Sequence, residues 1–138
     1  MTRRLPKVAY AVCVSLALAG CGGSESSSTT GTTAPTPTIV GGFQVLKVIP
    51  IHETEFALSP SRIKIDRFGY YGIKAVNDGT VAHALTVEGH GVDQTTGKIA
   101  PGASKSIAVY FKRAGTYRLY CPIDGHEAKG MKGTVKVH

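Results

Sequence analysis

From Ile39 onward, hydrophobic residues fall in short alternating runs separated by turn signals. "FQVLKVIPI" (Phe43 to Ile51) alternates in part and is rich in β-formers. "HETEFAL" leads into a turn at Ser59 to Ser61, and "RIKI" then puts Ile63 and Ile65 on one face. "YYGIKAV" runs into "NDGT", a strong turn sequence. "VAHALTVE" sets His83, Leu85 and Val87 on one side and reads as a strand with His83 at its middle, pointing inward. "GHGVDQTTGK" reads as a long glycine-bearing loop, and Pro101-Gly102 turns into "SKSIAVYF". "AGTYRLYC" places Tyr117, Leu119 and Cys121 on one face and Arg118 and Tyr120 on the other. "GTVKVH" closes the chain with Val135 and Val137 alternating. No stretch carries a helical period of any length. Short strands at regular spacing predict an all-β sandwich or barrel. The hundred residues from 39 to 138 suffice for a single two-sheet core.

The pattern before Ile39 is different. Arg3, Arg4 and Lys7 head the apolar, small-residue run Val8 to Gly20, which is short for a membrane-spanning helix. The layout is that of a secretory signal over residues 1–20; a retained anchor helix fits its length and flanks less well. The junction "LAGC", Leu18 to Cys21, resembles the lipobox of bacterial lipoproteins, which implies lipidation of Cys21. Residues 22–38 continue as "GGSESSSTTGTTAPTPT" behind that cysteine. Such a stretch has too little apolar area to offset its ordering entropy and reads as a disordered tether. The expected organisation is signal 1–20, lipidated cysteine and tether 21–38, and one domain 39–138. The location is extracytoplasmic, on a membrane, with the envelope type left open.

Charge changes this picture little. The chain has 16 Lys and Arg against 9 Asp and Glu; without the three basic residues of the signal the balance is 13 to 9, or +4. These charges are spread out, so no nucleic-acid footprint is present. Cysteine use is more informative. Of three cysteines, Cys13 leaves with the signal and Cys21 would carry lipid. Cys121 is then alone in an exported protein, where thiols usually pair. A leftover cysteine there is intermolecular, reactive or occupied.

Cys121 opens the segment "CPIDGHEAKGM", which spaces a thiol, the imidazole of His126 and the thioether of Met131 at five-residue intervals. Thiolate and imidazole bind first-row metals, and adding a thioether favours copper over hard cations. One more imidazole would complete a two-His, one-Cys set with an axial Met, the arrangement of electron-transfer copper sites. His83 is the best-placed donor; His52, His90 and His138 sit at a strand start, a loop and the terminus and read as ordinary exposed residues. Singly, a buried His, a terminal Met or a strand Cys is most often plain core. The four together, in this order, favour a metal.

"NDGTVAHAL" followed by "GTYRLYCPIDGHEAKGMKGTVKV" resembles the cupredoxins, the small blue-copper proteins, with loop spacing most similar to the rusticyanin and auracyanin branch. The resemblance covers residues 39–138 and implies a Greek-key β-sandwich or barrel of that type. It also implies one mononuclear type 1 copper, with His83, Cys121 and His126 as equatorial ligands and Met131 axial. The Ala84 N–H would bond the Cys121 sulfur, and the Ala82 carbonyl would lie beneath the metal. Many relatives have Asn or Ser after the strand histidine to tie the ligand loops together, and Ala84 cannot do this. Tyr117 reads as a packing or tyrosine-corner residue rather than a redox relay. With every ligand position filled by protein, the expected function is one-electron transfer between extracytoplasmic redox proteins, by a monomer and without enzymatic turnover. The loop histidine would be the portal, ringed by Pro122, Ile123 and Ala128. Copper delivery or sequestration is the alternative, and a metal-free adhesion sandwich a third. A multicopper oxidase would need further His-x-His pairs, and a binuclear centre a second loop cysteine; both are absent.

Overall fold

The computed structural model describes residues 35–138. The signal, Cys21 and the tether up to residue 34 therefore lie outside the described residues.

Eleven strands and no helix make up the described chain. They are β1 (Thr38–Val40), β2 (Phe43–Val45), β3 (Val48–Thr54), β4 (Ala57–Ser59), β5 (Arg62–Ile65) and β6 (Gly69–Asn77). After these come β7 (Thr86–Gly89), β8 (Val92–Thr95), β9 (Ser104–Phe111), β10 (Gly115–Tyr120) and β11 (Lys132–Val137). One sheet runs β4-β3-β6-β9, a second runs β5-β11-β10-β7-β8, and β1-β2 form a separate hairpin. The chain crosses between the sheets after β4, β5, β6, β8 and β9, so β3 lies parallel to β6 and β11 parallel to β5. This is the expected Greek-key β-sandwich.

Period-2 alternation builds the core. Ile51, Ile73, Ala75, Val109 and Phe111 point inward from the first sheet, and Ile63, Ile65, Val87, Leu119, Val135 and Val137 from the second. Tyr117 adds its ring to this core, and its hydroxyl donates to the Arg113 carbonyl at 2.9 Å, closing the expected tyrosine corner. A second corner, Tyr71 to the Arg67 carbonyl at 3.0 Å, was not anticipated. The outer face of β6 is partly covered by the β1-β2 hairpin. Gly72 makes room there, since a Cβ would come within 2.9 Å of Val40.

Three expectations change. The "GHGVDQTTGK" loop contains β8, which pairs antiparallel with β7 from Thr86↔Thr95 to Gly89↔Val92. A polar edge strand has no alternating apolar signal, and the turn before it is tight, with His90 at φ 51° and Gly91 at φ 84°. The "FQVLKVIPI" run is two strands, with Leu46 and Lys47 between them, and His52 lies well inside β3 on its exposed side. His83 is not mid-strand. It precedes β7 and pairs only with Ile99 in an isolated bridge.

Candidate metal centre

Cys121 follows directly on β10, so the sheet sets its place. Its N–H donates to the Met131 carbonyl at 3.0 Å, tying the two ends of the loop together. Between them the chain coils into consecutive tight turns, with Lys129 N–H to the Gly125 carbonyl at 3.1 Å and Met131 N–H to the His126 carbonyl at 3.1 Å. Gly130 permits this coil. Its φ is +125°, and a Cβ would approach the Phe56 carbonyl oxygen to 2.9 Å.

The bridge to Ile99 holds His83 from the other side, with N–H···O distances of 3.1 and 2.7 Å. Asn77 secures both strands of that bridge. Its side-chain amide donates to the carbonyls of Val81 (2.8 Å) and Ile99 (2.9 Å) and accepts from Gly79 N–H (2.9 Å). This buried amide lies on β6, six residues before His83. Thr96 adds to this brace of the His83 segment, its hydroxyl accepting from Leu85 N–H at 2.9 Å.

These elements bring His83, Cys121 and His126 together, with ligand atoms all within 4.8 Å of one another. His83 Nδ1 and His126 Nδ1 are 3.3 Å apart, and Cys121 Sγ is 3.6 Å from His126 Nδ1. Metal bonds of about 2.0 Å to nitrogen and about 2.3 Å to sulfur, at trigonal angles, put donors roughly 3.5–3.8 Å apart. The three side chains therefore fit one small ion. Met131 is fully buried at the loop's end. His83 and Cys121 are buried and His126 is half-buried. His52, His90 and His138 are all exposed. His52 pairs instead with Asp78, and His90 packs on the Tyr117 ring.

Burial favours the uncharged forms of the His83 imidazole and the Cys121 thiol. Burial holds the His83 pKa below its ordinary value against the upward pull of the Glu55 carboxylate, and the His126 ring adds to the lowering. Burial pushes the Cys121 thiol up, against the pull of N–H donors from Ile123 and Ala84. The Ile123 donor had no sequence signal. Nor did two carboxylates near the site. Glu53, on β3, is fully buried with neither carboxylate oxygen hydrogen-bonded among the described residues. Burial lifts its pKa to about 7, and its charge adds to the upward push on Cys121. Glu55, in the turn after β3, accepts hydrogen bonds from Thr80 and Val81 and is held down to about 2 by them. Around the loop histidine, Pro122 and Ala128 are exposed and Ile123 is half-buried. The ring packed edge-on against His126 is Phe56, with centroids 4.9 Å apart, and Lys129 Nζ sits 4.3 Å above Phe56.

Comparisons with known proteins agree with this geometry. The profile of copper binding proteins of the plastocyanin/azurin family matches residues 50–138. No match was found among curated proteins. Among solved structures, a dithionite-reduced auracyanin of Roseiflexus castenholzii aligns with TM-score 0.60 at 19% identity, over 67% of this chain and 96% of its own. Auracyanin B aligns with TM-score 0.63 at 18% identity, over 74% and 96%. Auracyanin A of Chloroflexus aurantiacus, described as a "blue" copper protein, aligns with TM-score 0.57 at 14% identity, over 66% and 98%. At these identities the structural likeness shows the fold alone. The family profile spans more than half the chain, and the donor set fits one type 1 copper: the chain belongs to the plastocyanin/azurin family of copper binding proteins.

Proposed function

We propose that this protein is a one-electron carrier working outside the cytoplasm, in which His83, Cys121, His126 and Met131 would hold one copper. The observation that carries this reading is the convergence of the three donors, within 4.8 Å of one another. Bound copper supplies a one-electron couple. The chain's part is to keep its donors in one geometry in both oxidation states. Cys121 is held by the end of β10 and by the Ala84 and Ile123 N–H groups, and His83 by its bridge to Ile99. The set leaves no position for a substrate, which favours transfer over turnover.

His126 is the proposed portal. It is the one half-buried member of the group, and Phe56, Ile123, Pro122 and Ala128 lie on its loop or against it. Brief docking with redox partners suits such a small apolar rim. The signal-like residues 1–20 and the "LAGC" junction support a lipid anchor at Cys21, with the segment to residue 38 as tether. Voltammetry of the copper-loaded protein tests the carrier role. A reversible one-electron couple is expected. A Cu(I)-selective site without a reversible couple, which hands its metal to a chelating acceptor, would replace this reading by copper delivery.

A further inference from the structure

His83 has two ring nitrogens with different surroundings. Nδ1 faces His126 and the other donors. Nε2 points away from them, is fully buried, and has no hydrogen bond among the described residues. The polar group approaching it is the Glu55 carboxylate, with Oε1 at 3.5 Å. That carboxylate is itself firmly placed. The same oxygen accepts from Thr80 N–H at 2.5 Å, Val81 N–H at 2.9 Å and the Thr80 hydroxyl at 3.3 Å. Gly79 clears the space for it, because a Cβ there would lie 2.5 Å from Oε1 and 2.8 Å from Oε2. Glu55 thus clamps the segment leading to His83 and puts a negative charge behind its imidazole.

We propose that Glu55 is the positioning residue and charge partner of His83, fixing its tautomer and biasing the site toward oxidised copper. The inference rests on the copper reading above. A metal on Nδ1 leaves the ring proton on Nε2, which is the atom facing Glu55. A carboxylate behind a ligating imidazole orients the ring and makes it a better donor. Its negative charge also favours the oxidation state with the greater positive charge, so Glu55 stabilises Cu(II) over Cu(I).

Two variants of the full chain separate the charge from the clamp. Glu55→Gln removes the charge but keeps an oxygen to accept from Thr80 and Val81. Glu55→Ala removes both. Affinities for Cu(II) and Cu(I) are measured by chelator competition, the midpoint potential by voltammetry, and apo-protein stability by urea titration. Removing the partner of a ligating histidine weakens metal binding by about 10- to 100-fold. Both variants should lose that much Cu(II) affinity and less Cu(I) affinity, and their potentials should rise. Each tenfold change in the affinity ratio corresponds to about 59 mV for one electron. Only Glu55→Ala should also lose stability in urea. A blue parent protein with an unchanged potential in Glu55→Gln would overturn the charge role, whatever the stability of Glu55→Ala. Equal losses of Cu(I) and Cu(II) affinity would overturn it as well. A parent with no blue band would instead sink the copper reading and this inference with it.

Discussion

Glu53 offers the sharpest test of how the metal end of the sandwich is built. Its carboxyl is fully buried and has no hydrogen bond among the described residues, with a folded-state pKa of about 7 against an ordinary 4.5. The folded protein therefore holds this proton more tightly than the unfolded chain does. Below about pH 4.5 both states are protonated and the group carries no penalty. As pH rises toward 7 the unfolded chain releases its proton first, and stability falls. Above about pH 7 both states are ionised and the loss is complete. A shift from 4.5 to about 7 amounts to about 3 kcal/mol, at 1.36 kcal/mol per pKa unit. Glu53→Gln keeps the shape and removes the titration. Urea unfolding of the apo protein across pH 4 to 9 should show the variant close to the parent at the acid end. It should gain on the parent through the window and be more stable by up to about 3 kcal/mol at the alkaline end. A stability difference independent of pH would refute the reasoning, because the buried carboxyl would then have no shifted proton.

Asn77→Ala removes three side-chain hydrogen bonds, taking the amide donor from the Val81 carbonyl and leaving the Ile99 carbonyl with the His83 N–H alone. It should cost about 3 kcal/mol in urea unfolding, and a cost near zero would show that Asn77 does not secure the bridge. Gly130→Ala forces a side chain to φ +125° and a Cβ to 2.9 Å from the Phe56 carbonyl. A loss of about 1–3 kcal/mol, read as a lower melting temperature, is expected. Met131→Leu should keep the apo fold within about 1.5 kcal/mol but move the midpoint potential, since it deletes the thioether donor. An unmoved potential would remove Met131 from the copper site.

Much of this was legible because alternation carries the information. In "AGTYRLYC" the inward face ends on Cys121, and in "RIKI" the two isoleucines enter the core, as the burial of β10 and β5 shows. The spacing of Cys121, His126 and Met131 is local, so the sequence displays it directly. The strand β8 was missed because its residues are polar and mostly exposed at a sheet edge. The alternation of Leu85 and Val87 after His83 predicts a mid-strand position, yet among the described residues it pairs in an isolated bridge with Ile99, sixteen residues on. Glu53, Glu55 and Asn77 left no signal for a related reason. The link from Glu55 to Thr80 and Val81 spans 25 and 26 residues and exists only because β3 and β6 run side by side. Nothing in the order "HETEF" indicates that one glutamate turns into the core and the other toward a loop.

The visible spectrum of the purified protein loaded with Cu(II) tests the central claim most directly. An intense sulfur-to-copper band should appear at one copper per chain and vanish in Cys121→Ser. A colourless adduct, or a band that survives Cys121→Ser, would contradict the assignment of the His83, Cys121 and His126 cluster as a type 1 copper site.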